Sequence, residues 1–349
     1  MARLIRVLVV DDSAFVRKVV KHMLSRSPFI EVVGSARDGQ EALDMVADLN
    51  PDVVTLDLVM ARMGGIEFLR RQMAVRPVPV VICSISQQSG EVALQALELG
   101  AVDFVQKPTA LATDRVYEIA EELIAKVKAA AAVTLVAPVP APEGTEARPT
   151  LVAISPVEAK KVDILVLGIS TGGPQALRAL IPRFPADFPV PIAVVLHMPL
   201  GYTEMYAQRL NEISQLHVVE ARADDLVEAG TMYLAPAGQH LSFARGRDGK
   251  VRVHLDLDPT NTQHRPAVDV LFHSAADVYD DRVLGVVMTG MGSDGLLGAA
   301  HIQASGGRVI TEAESSCVVY GMPRVVVEAG ISNRVATLNE MATAISEMI

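Results

Sequence analysis

The chain has 349 residues, half of them hydrophobic, with a formal net charge of -10 at neutral pH; this is more apolar material than one ordinary domain core needs, so two domains are expected. The negative charge disfavours nucleic acid and anionic membranes as partners, and the absence of a long apolar run disfavours direct membrane insertion. With two distant cysteines, Cys83 and Cys317, and no evident secretory leader, a disulfide-rich secreted protein is disfavoured and a cytoplasmic one expected.

Short runs of Val, Ile and Leu alternate with helix-like segments through residues 1–128. Five strands are predicted, at residues 4–10, 30–35, 53–57, 78–84 and 102–106. Helical spacing of apolar residues predicts helices at 15–25, 40–50, 65–76, 90–99 and 113–128. This alternation predicts an α/β domain with a doubly wound parallel sheet, covered by helices on both faces.

The composition changes at residues 129–161, which are rich in Ala and Pro and include the run Ala-Pro-Val-Pro-Ala-Pro. Such a segment buries little apolar surface and tends to be extended, so it is predicted to be a linker. A loop packed on one domain is the alternative.

The alternation resumes in residues 162–349, which form the second predicted domain. Its strands are predicted at 162–168, 192–197, 231–235, 284–289 and 308–311. Its helices are predicted at 174–181, 203–213, 268–278, 295–305 and 339–348. Residues 241–245 and 250–255, joined by a Gly-rich turn, predict a β-hairpin. The second domain is therefore also predicted to be a doubly wound, Rossmann-like α/β domain.

Chemically active side chains end or follow four of the first domain's strands: Asp11 and Asp12, then Asp57, Ser84 and Lys107. In a parallel sheet the C-terminal ends of the strands meet at one crevice. Three carboxylates there need a cation, and an all-oxygen ligand set favours Mg²⁺. A hydroxyl and an ammonium group can hold a phosphoryl group. Taken singly, these residues could equally be helix caps or solvated surface charges.

The joint pattern resembles a response-regulator receiver domain over residues 1–128, which implies a flavodoxin-like fold. The resemblance implies that Asp57 accepts a phosphoryl group from a histidine kinase and that Asp11, Asp12 and Asp57 hold Mg²⁺. It also implies that Ser84 and Lys107 respond to the phosphoryl group. Receivers usually have Met-Pro and Asp-Gly after the acceptor, whereas residues 60–65 read Met-Ala-Arg-Met-Gly-Gly. A pseudo-receiver that is not phosphorylated is therefore the alternative.

Three strands of the second domain lead into residue types of a serine hydrolase. Ser170 lies in a glycine-flanked turn before a helix, where backbone N–H groups and the helix dipole can stabilise an oxyanion. His197 ends the next strand, and Asp294 lies in a Gly-rich turn after a third. Together they offer a nucleophile, a general base and a carboxylate that orients the imidazole. The alternatives are a phosphate-binding loop, a structural histidine and a helix cap.

Six segments carry a more specific resemblance. They are Gly-Ile-Ser-Thr-Gly-Gly-Pro (168–174), Leu-His-Met-Pro (196–199), Ala-Pro-Ala-Gly-Gln-His (235–240), Arg-Pro-Ala-Val-Asp-Val-Leu-Phe (265–272), Met-Thr-Gly-Met-Gly-Ser-Asp-Gly (288–295) and Val-Tyr-Gly-Met-Pro (319–323). By these motifs the chain resembles the chemotaxis protein-glutamate methylesterase family over essentially its whole length. His240 and His264 fall within or beside these segments and are candidates to line the crevice.

The family resemblance implies a catalytic triad of Ser170, His197 and Asp294, an oxyanion site at the Met291 N–H supported by Thr171, and no cofactor for hydrolysis. It implies a monomer that removes methyl groups, as methanol, from glutamate γ-methyl esters on the cytoplasmic helices of chemoreceptors. It also implies deamidation of receptor glutamines and a receiver that covers the crevice until it is phosphorylated.

Two other classes of function are the alternatives to this one. A regulator that binds DNA or protein without chemistry needs a basic recognition helix, which the second domain lacks. A small-molecule esterase or amidase of the same fold remains open, because a triad alone does not define the substrate.

Overall fold

The computed structural model describes residues 3–84, 90–107, 115–133 and 161–349. In the first unit the strands are β1 (Ile5–Val10), β2 (Ile30–Ala36), β3 (Val53–Leu56), β4 (Val80–Ser84) and β5 (Asp103–Gln106). They pair in parallel in the order β2-β1-β3-β4-β5. This is the flavodoxin-like order, as predicted.

Helices cover both faces of this sheet: α1 (Ala14–Leu24), α2 (Gly39–Leu49), α3 (Gly65–Val75), α4 (Gly90–Glu98) and α5 (Arg115–Ala131). The buried residues of α1 and α5 pack on one face, and those of α2, α3 and α4 pack on the other. Alternate strand residues point to opposite faces, so each strand contributes to both cores.

α5 ends at Ala131, three residues beyond the predicted residue 128, so the first residues assigned to the linker are helical. Of that predicted linker, residues 134–160 lie outside the described ranges.

The strands of the second unit are β6 (Ile164–Ile169), β7 (Ile192–Leu196), β8 (His217–Glu220), β9 (Thr231–Leu234), β10 (His240–Arg245), β11 (Val251–Asp256), β12 (Val283–Val287), β13 (Arg308–Glu312) and β14 (Arg334–Ala336). Seven of them form a parallel sheet in the order β14-β13-β12-β6-β7-β9-β8. The predicted hairpin is confirmed: β10 and β11 pair antiparallel in a separate two-stranded sheet.

The helices of this unit are α6 (Gly173–Leu180), α7 (Thr203–Ile213), α8 (Val268–Tyr279), α9 (Leu296–Ala304), α10 (Met322–Glu328) and α11 (Leu338–Ser346). Sequence patterns missed β8, β14 and α10. The two strands are short and form the edges of the sheet, and α10 spans only two turns, so none carries a long apolar period.

The strand order places one crevice at the centre of the second sheet. From β6 the chain continues to its neighbour β7, whereas its neighbour on the other side, β12, begins more than a hundred residues after β6 ends. Such a reversal opens a crevice at the C-terminal ends of the strands, where ligands bind in open α/β sheets. All residues of β6, β7 and β12 are buried, so these strands form a rigid base for the loops that follow them.

No helix in the described ranges combines the length and the apolar character needed to cross a bilayer.

Candidate active site and acidic cluster

Ser170 lies in the turn that joins β6 to α6. The N-cap residue Gly172 has a φ of 80°, a left-handed conformation that glycine adopts without strain. A Cβ at Gly172 would also lie 2.5 Å from the side chain of Val318, so a larger residue does not fit. The Gly173 N–H donates to Ser170 O at 2.7 Å, which closes the turn. Ser170 is therefore held just before the N-terminus of a helix, as the sequence predicted.

His197 leaves the sheet beside Ser170. Ile169 pairs with Leu196 in the parallel ladder between β6 and β7, and Ser170 and His197 are the next residues on each strand. His197 Nε2 lies 2.8 Å from Asp294 Oδ2. The other ring nitrogen, Nδ1, is buried and has no hydrogen-bond partner among the described residues. With the proton on Nε2, Nδ1 is a free acceptor on the ring.

Asp294 is bound by two groups besides the histidine. Its carboxylate accepts hydrogen bonds from the N–H groups of Val268 at 2.8 Å and Asp269 at 2.9 Å, the first two residues of α8. Burial by itself raises the pKa of Asp294, but the hydrogen bond and charge of His197 and these two amides outweigh it and hold the pKa below its usual range. The carboxylate is therefore ionised at neutral pH and can orient and stabilise an imidazolium.

Two further histidines belong to this region. The ring of His264 stacks on that of His197 with centroids 4.1 Å apart and planes inclined by 26°. Burial, and then the nearby charge of His197, lower the pKa of His264 to about 4, so it is neutral at physiological pH. His240 is fully buried and accepts from Ala267 N–H at 3.1 Å, which fixes the residue before α8. His264 thus lines the crevice, whereas His240 supports it.

The loop after β12 lies directly against the Ser170 turn. A Cβ built at Gly290 would come within 2.9 Å of Ser170 Cβ. Ser170 N–H donates to Thr289 O at 3.0 Å and so is already occupied. In the part of the chain that the structure describes, the N–H groups of Thr171 and Met291 donate to no protein acceptor. Neither amide is therefore occupied by another group of the described residues.

The first unit lies over this turn. Thr171 Oγ1 donates to Asp103 Oδ2 at 2.6 Å, a contact that joins β5 to the residue after Ser170. Lys126 of α5 lies 3.1 Å from the other oxygen of Asp103. The ring of Phe104 lies 5.0 Å from that of Tyr202. No sequence motif pointed to Asp103 or Lys126, because their role depends on how the two units pack.

A second set of contacts joins α4 to the helices around the crevice. Arg178 and Arg209 lie 2.7 and 2.8 Å from the same oxygen of Glu98. The side-chain amide of Gln175 donates to the carbonyl of Leu97 in the last turn of α4 and to that of Ala101 in the loop that follows. These polar contacts are specific in direction and thus fix how the first unit sits on the second.

The predicted acidic cluster is assembled at the C-terminal edge of the first sheet. One oxygen from each of Asp11, Asp12 and Asp57 lies within 4.8 Å of the others. Lys107 Nζ lies 2.5 Å from Asp11 Oδ2 and 2.8 Å from Asp57 Oδ2. Burial raises the pKa of Asp57, and Lys107 offsets this only in part. Ser84 ends β4, but its side chain lies outside the described residues.

This cluster fits a hard divalent cation. The three groups that converge are all carboxylates, and Asp12 is exposed, which leaves one side open to water or to phosphoryl oxygens. Mg²⁺ favours this combination of a few carboxylates and an open side.

The loop at residues 60–65, which departs from the receiver pattern, is held by backbone hydrogen bonds. Gly65 N–H donates to Leu58 O at 3.1 Å, and Gly39 N–H donates to Met63 O at 2.9 Å.

Two family models match the chain: the CheB methylesterase model over residues 165–345 and the response regulator receiver domain model over residues 7–117. The chain belongs to the CheB methylesterase family. The prediction of the family and of a receiver domain in front of it is therefore confirmed. The first match covers the unit with Ser170, His197 and Asp294, and the second covers the acidic cluster.

The chain is similar along its whole length to proteins named protein-glutamate methylesterase/protein-glutamine glutaminase. One from Myxococcus xanthus is 50% identical over 342 residues, which cover 97% of this chain and 96% of the relative. One from Symbiobacterium thermophilum is 46% identical over 364 residues, covering 99% and 98%. The crystal structure of the Thermotoga maritima CheB methylesterase catalytic domain is 40% identical with a TM-score of 0.53, covering 54% of this chain and all of that one. The α/β fold is thus confirmed.

Proposed function

We propose that this protein is a serine esterase that hydrolyses glutamate γ-methyl esters on chemoreceptors, releasing methanol, and deamidates receptor glutamines. The relatives' names support this substrate class. The observation that carries the chemistry is the His197 ring, which is bound to Asp294 through one nitrogen and has its other nitrogen buried without a partner in the described ranges. His197 follows β7 directly beside Ser170, which follows β6. We propose that the substrate side chains lie on cytoplasmic receptor helices, that the protein therefore acts in the cytoplasm, and that it acts as a monomer.

The proposed reaction begins with attack of Ser170 Oγ on the ester carbonyl while His197 Nδ1 takes the hydroxyl proton. The carbonyl oxygen becomes an oxyanion, which the Thr171 and Met291 N–H groups can stabilise. Collapse of this intermediate breaks the bond to the methoxy oxygen, and His197 returns the proton, so methanol leaves. Water then attacks the glutamyl ester of Ser170 with His197 again as the base. With glutamine the first leaving group is ammonia. Side chains and amides of this chain supply every group, so we propose that hydrolysis needs no cofactor.

The first unit is proposed to be a receiver whose phosphorylation controls the esterase activity of the second unit. A histidine kinase would donate a phosphoryl group to Asp57, and Lys107 would neutralise part of its charge, with Ser84 as a hydrogen-bond donor. Asp11, Asp12 and Asp57 would hold Mg²⁺, which supplies positive charge to the phosphoryl oxygens when it is bound. The support is the convergence of three carboxylate oxygens and one buried ammonium group.

We further propose that the unphosphorylated first unit restricts access to the crevice. Asp103 contacts the residue after Ser170, and Glu98 pairs with two arginines beside the crevice. A protein-sized substrate such as a receptor helix needs room that these contacts occupy. Phosphorylation would shift the equilibrium away from this arrangement, because a ligand or modification favours the state in which it makes better interactions.

The test is incubation of a methylated receptor fragment with the full chain, followed by mass spectrometry of its peptides. The expected result is loss of the methyl group from modified glutamates and conversion of selected glutamines to glutamate, both faster with a small phosphodonor and Mg²⁺. A small aryl ester, assayed in parallel, separates this function from that of a general esterase. Hydrolysis of the aryl ester together with an unchanged receptor would refute the proposed substrate.

A further inference from the structure

Thr289 is the residue to which the Ser170 turn is attached. It lies two residues after the end of β12 and only 1% of its surface is exposed. Its carbonyl accepts the Ser170 N–H at 3.0 Å. Its hydroxyl donates to Thr171 O at 2.9 Å and accepts the Val319 N–H at 3.0 Å. One side chain and its own backbone thus hold two points of the turn that carries the proposed nucleophile.

These two points flank the peptide that matters most for the proposed chemistry. Ser170 N–H belongs to the peptide unit before Ser170, and Thr171 C=O belongs to the unit after Thr171. Between them lies the Ser170–Thr171 peptide, whose N–H is a proposed oxyanion donor. With both neighbouring units fixed, and Ser170 O bound to Gly173 N–H, this peptide has little freedom to rotate.

Glu312 in turn fixes Thr289. It is the last residue of β13, is fully buried, and accepts the Thr289 N–H through Oε2 at 2.9 Å. Its other oxygen accepts from Ser316 Oγ at 2.9 Å. It forms no ion pair with any cation in the described ranges, and burial raises its pKa. A buried carboxyl group is costly, and the proposed reaction steps make no direct use of this one.

We propose that Thr289 and Glu312 are positioning residues that hold the Ser170 turn in its reactive geometry. This inference rests on the proposed function, since it assigns Ser170 as the nucleophile. Glu312 orients the backbone of Thr289, and Thr289 orients the Ser170–Thr171 peptide, so that the serine hydroxyl faces His197 and the Thr171 N–H faces the developing oxyanion. Errors of about 1 Å in such a site can cost about 100-fold in rate.

The test uses Thr289→Val and Thr289→Ser in the full chain, with the methylated receptor fragment as substrate. Valine keeps the branched shape but removes both hydroxyl bonds, so kcat per folded molecule should fall about 100-fold while KM stays unchanged. Serine restores both bonds and should keep kcat close to that of the wild type. The matched control is Thr311→Val, because Thr311 is equally buried on β13 but its hydroxyl bonds Ser332, away from the turn. Thr311→Val should lower the melting temperature without lowering kcat.

A Thr289→Val variant whose kcat equals that of Thr311→Val overturns the proposal. If Thr289→Val does not fold, Thr289→Cys replaces it, since a thiol is a weak donor; equal kcat for the cysteine and serine variants then overturns it. The role of Glu312 is tested with two variants. Glu312→Gln keeps an acceptor oxygen and should preserve kcat, whereas Glu312→Leu removes it and should lower kcat. Equal kcat values for these two variants would contradict the positioning role of Glu312. Ser170→Ala is measured alongside: if that variant is active, the proposed function itself fails.

Discussion

Replacing Asp294 with asparagine separates a catalytic carboxylate from a helix cap. The carboxylate serves three donors: His197 Nε2 and the Val268 N–H at Oδ2, and the Asp269 N–H at Oδ1. An asparagine has one acceptor oxygen, so one α8 amide loses its partner in either orientation of the side chain. A buried amide without a partner costs about 1–3 kcal/mol. The variant should therefore be less stable, but still folded.

The effect of Asp294→Asn on catalysis should be larger. If the asparagine NH₂ faces His197, the proton moves to Nδ1, and the ring can no longer accept the proton of Ser170. In the opposite orientation the tautomer survives, but the charge that stabilises the imidazolium is lost. A loss of about 10⁴-fold in kcat is expected from removing such a carboxylate, which corresponds to about 5 kcal/mol of barrier. The catalytic effect thus exceeds the effect on folding.

The assay compares receptor demethylation with thermal unfolding, using Asp269→Asn as the control. Asp269 is a neighbouring, partly buried carboxylate whose Oδ1 alone accepts both of its bonds, from the N–H groups of Gly295 at 3.0 Å and Gly298 at 2.7 Å. Asparagine can keep both, so this variant should lose less stability than Asp294→Asn and leave demethylation intact. If Asp294→Asn lowers the melting temperature but keeps a tenth of the activity, Asp294 is a cap and the triad assignment is wrong.

Three further variants test the nucleophile, the acceptor and the contact between the units. Ser170→Ala should lower turnover by several orders of magnitude with little change in melting temperature, and retention of a tenth of the wild-type rate would exclude Ser170. Asp57→Asn should keep the basal esterase rate but show no increase with phosphodonor and Mg²⁺; an increase like that of the wild type would refute the acceptor. Glu98→Ala removes two partly exposed ion pairs worth about 0.2–1 kcal/mol each, so basal demethylation should rise roughly two- to thirtyfold. Glu91→Ala is its control, because the Glu91 side chain is 83% exposed and its contact with Arg209 is long, at 3.7 Å, and therefore weak. Equal demethylation rates for the two variants would contradict the proposed restriction of the crevice.

Residues that follow a buried strand could be placed from the sequence, and those that depend on packing between distant segments could not. Ser170, His197 and Asp294 come soon after runs of apolar residues, so the rule that parallel strands end at one edge was enough to bring them together. The neighbours of β6, in contrast, include β12, more than a hundred residues away, and no local pattern encodes that pairing. Thr289 lay inside a recognised motif, but its role became visible only with the Ser170 turn beside it.

The carboxylates show the same limit in another way. The place of Asp57 in an acidic cluster could be predicted, because three acidic residues at strand ends repel one another and require a cation or a lysine. Glu312 and Asp103 offer no such signal, since a single acidic residue in a sequence is usually solvated. What distinguishes them is burial against a specific donor: a backbone N–H for Glu312 and the hydroxyl of Thr171 for Asp103.

β5 connects the two proposed sites over a short distance. Lys107, which follows this strand, lies 2.8 Å from Asp57, and Asp103, which begins it, lies 2.6 Å from Thr171. A strand of this length spans about 13 Å, so a change at the acceptor needs no long chain of side chains to reach the Ser170 turn. A phosphoryl group adds negative charge and acceptor oxygens beside Lys107. We propose that the movement of Lys107 toward that charge is passed along β5 to Asp103. The bond of Asp103 to Thr171 holds the first unit against the Ser170 turn, so loss of that bond would begin to open the crevice.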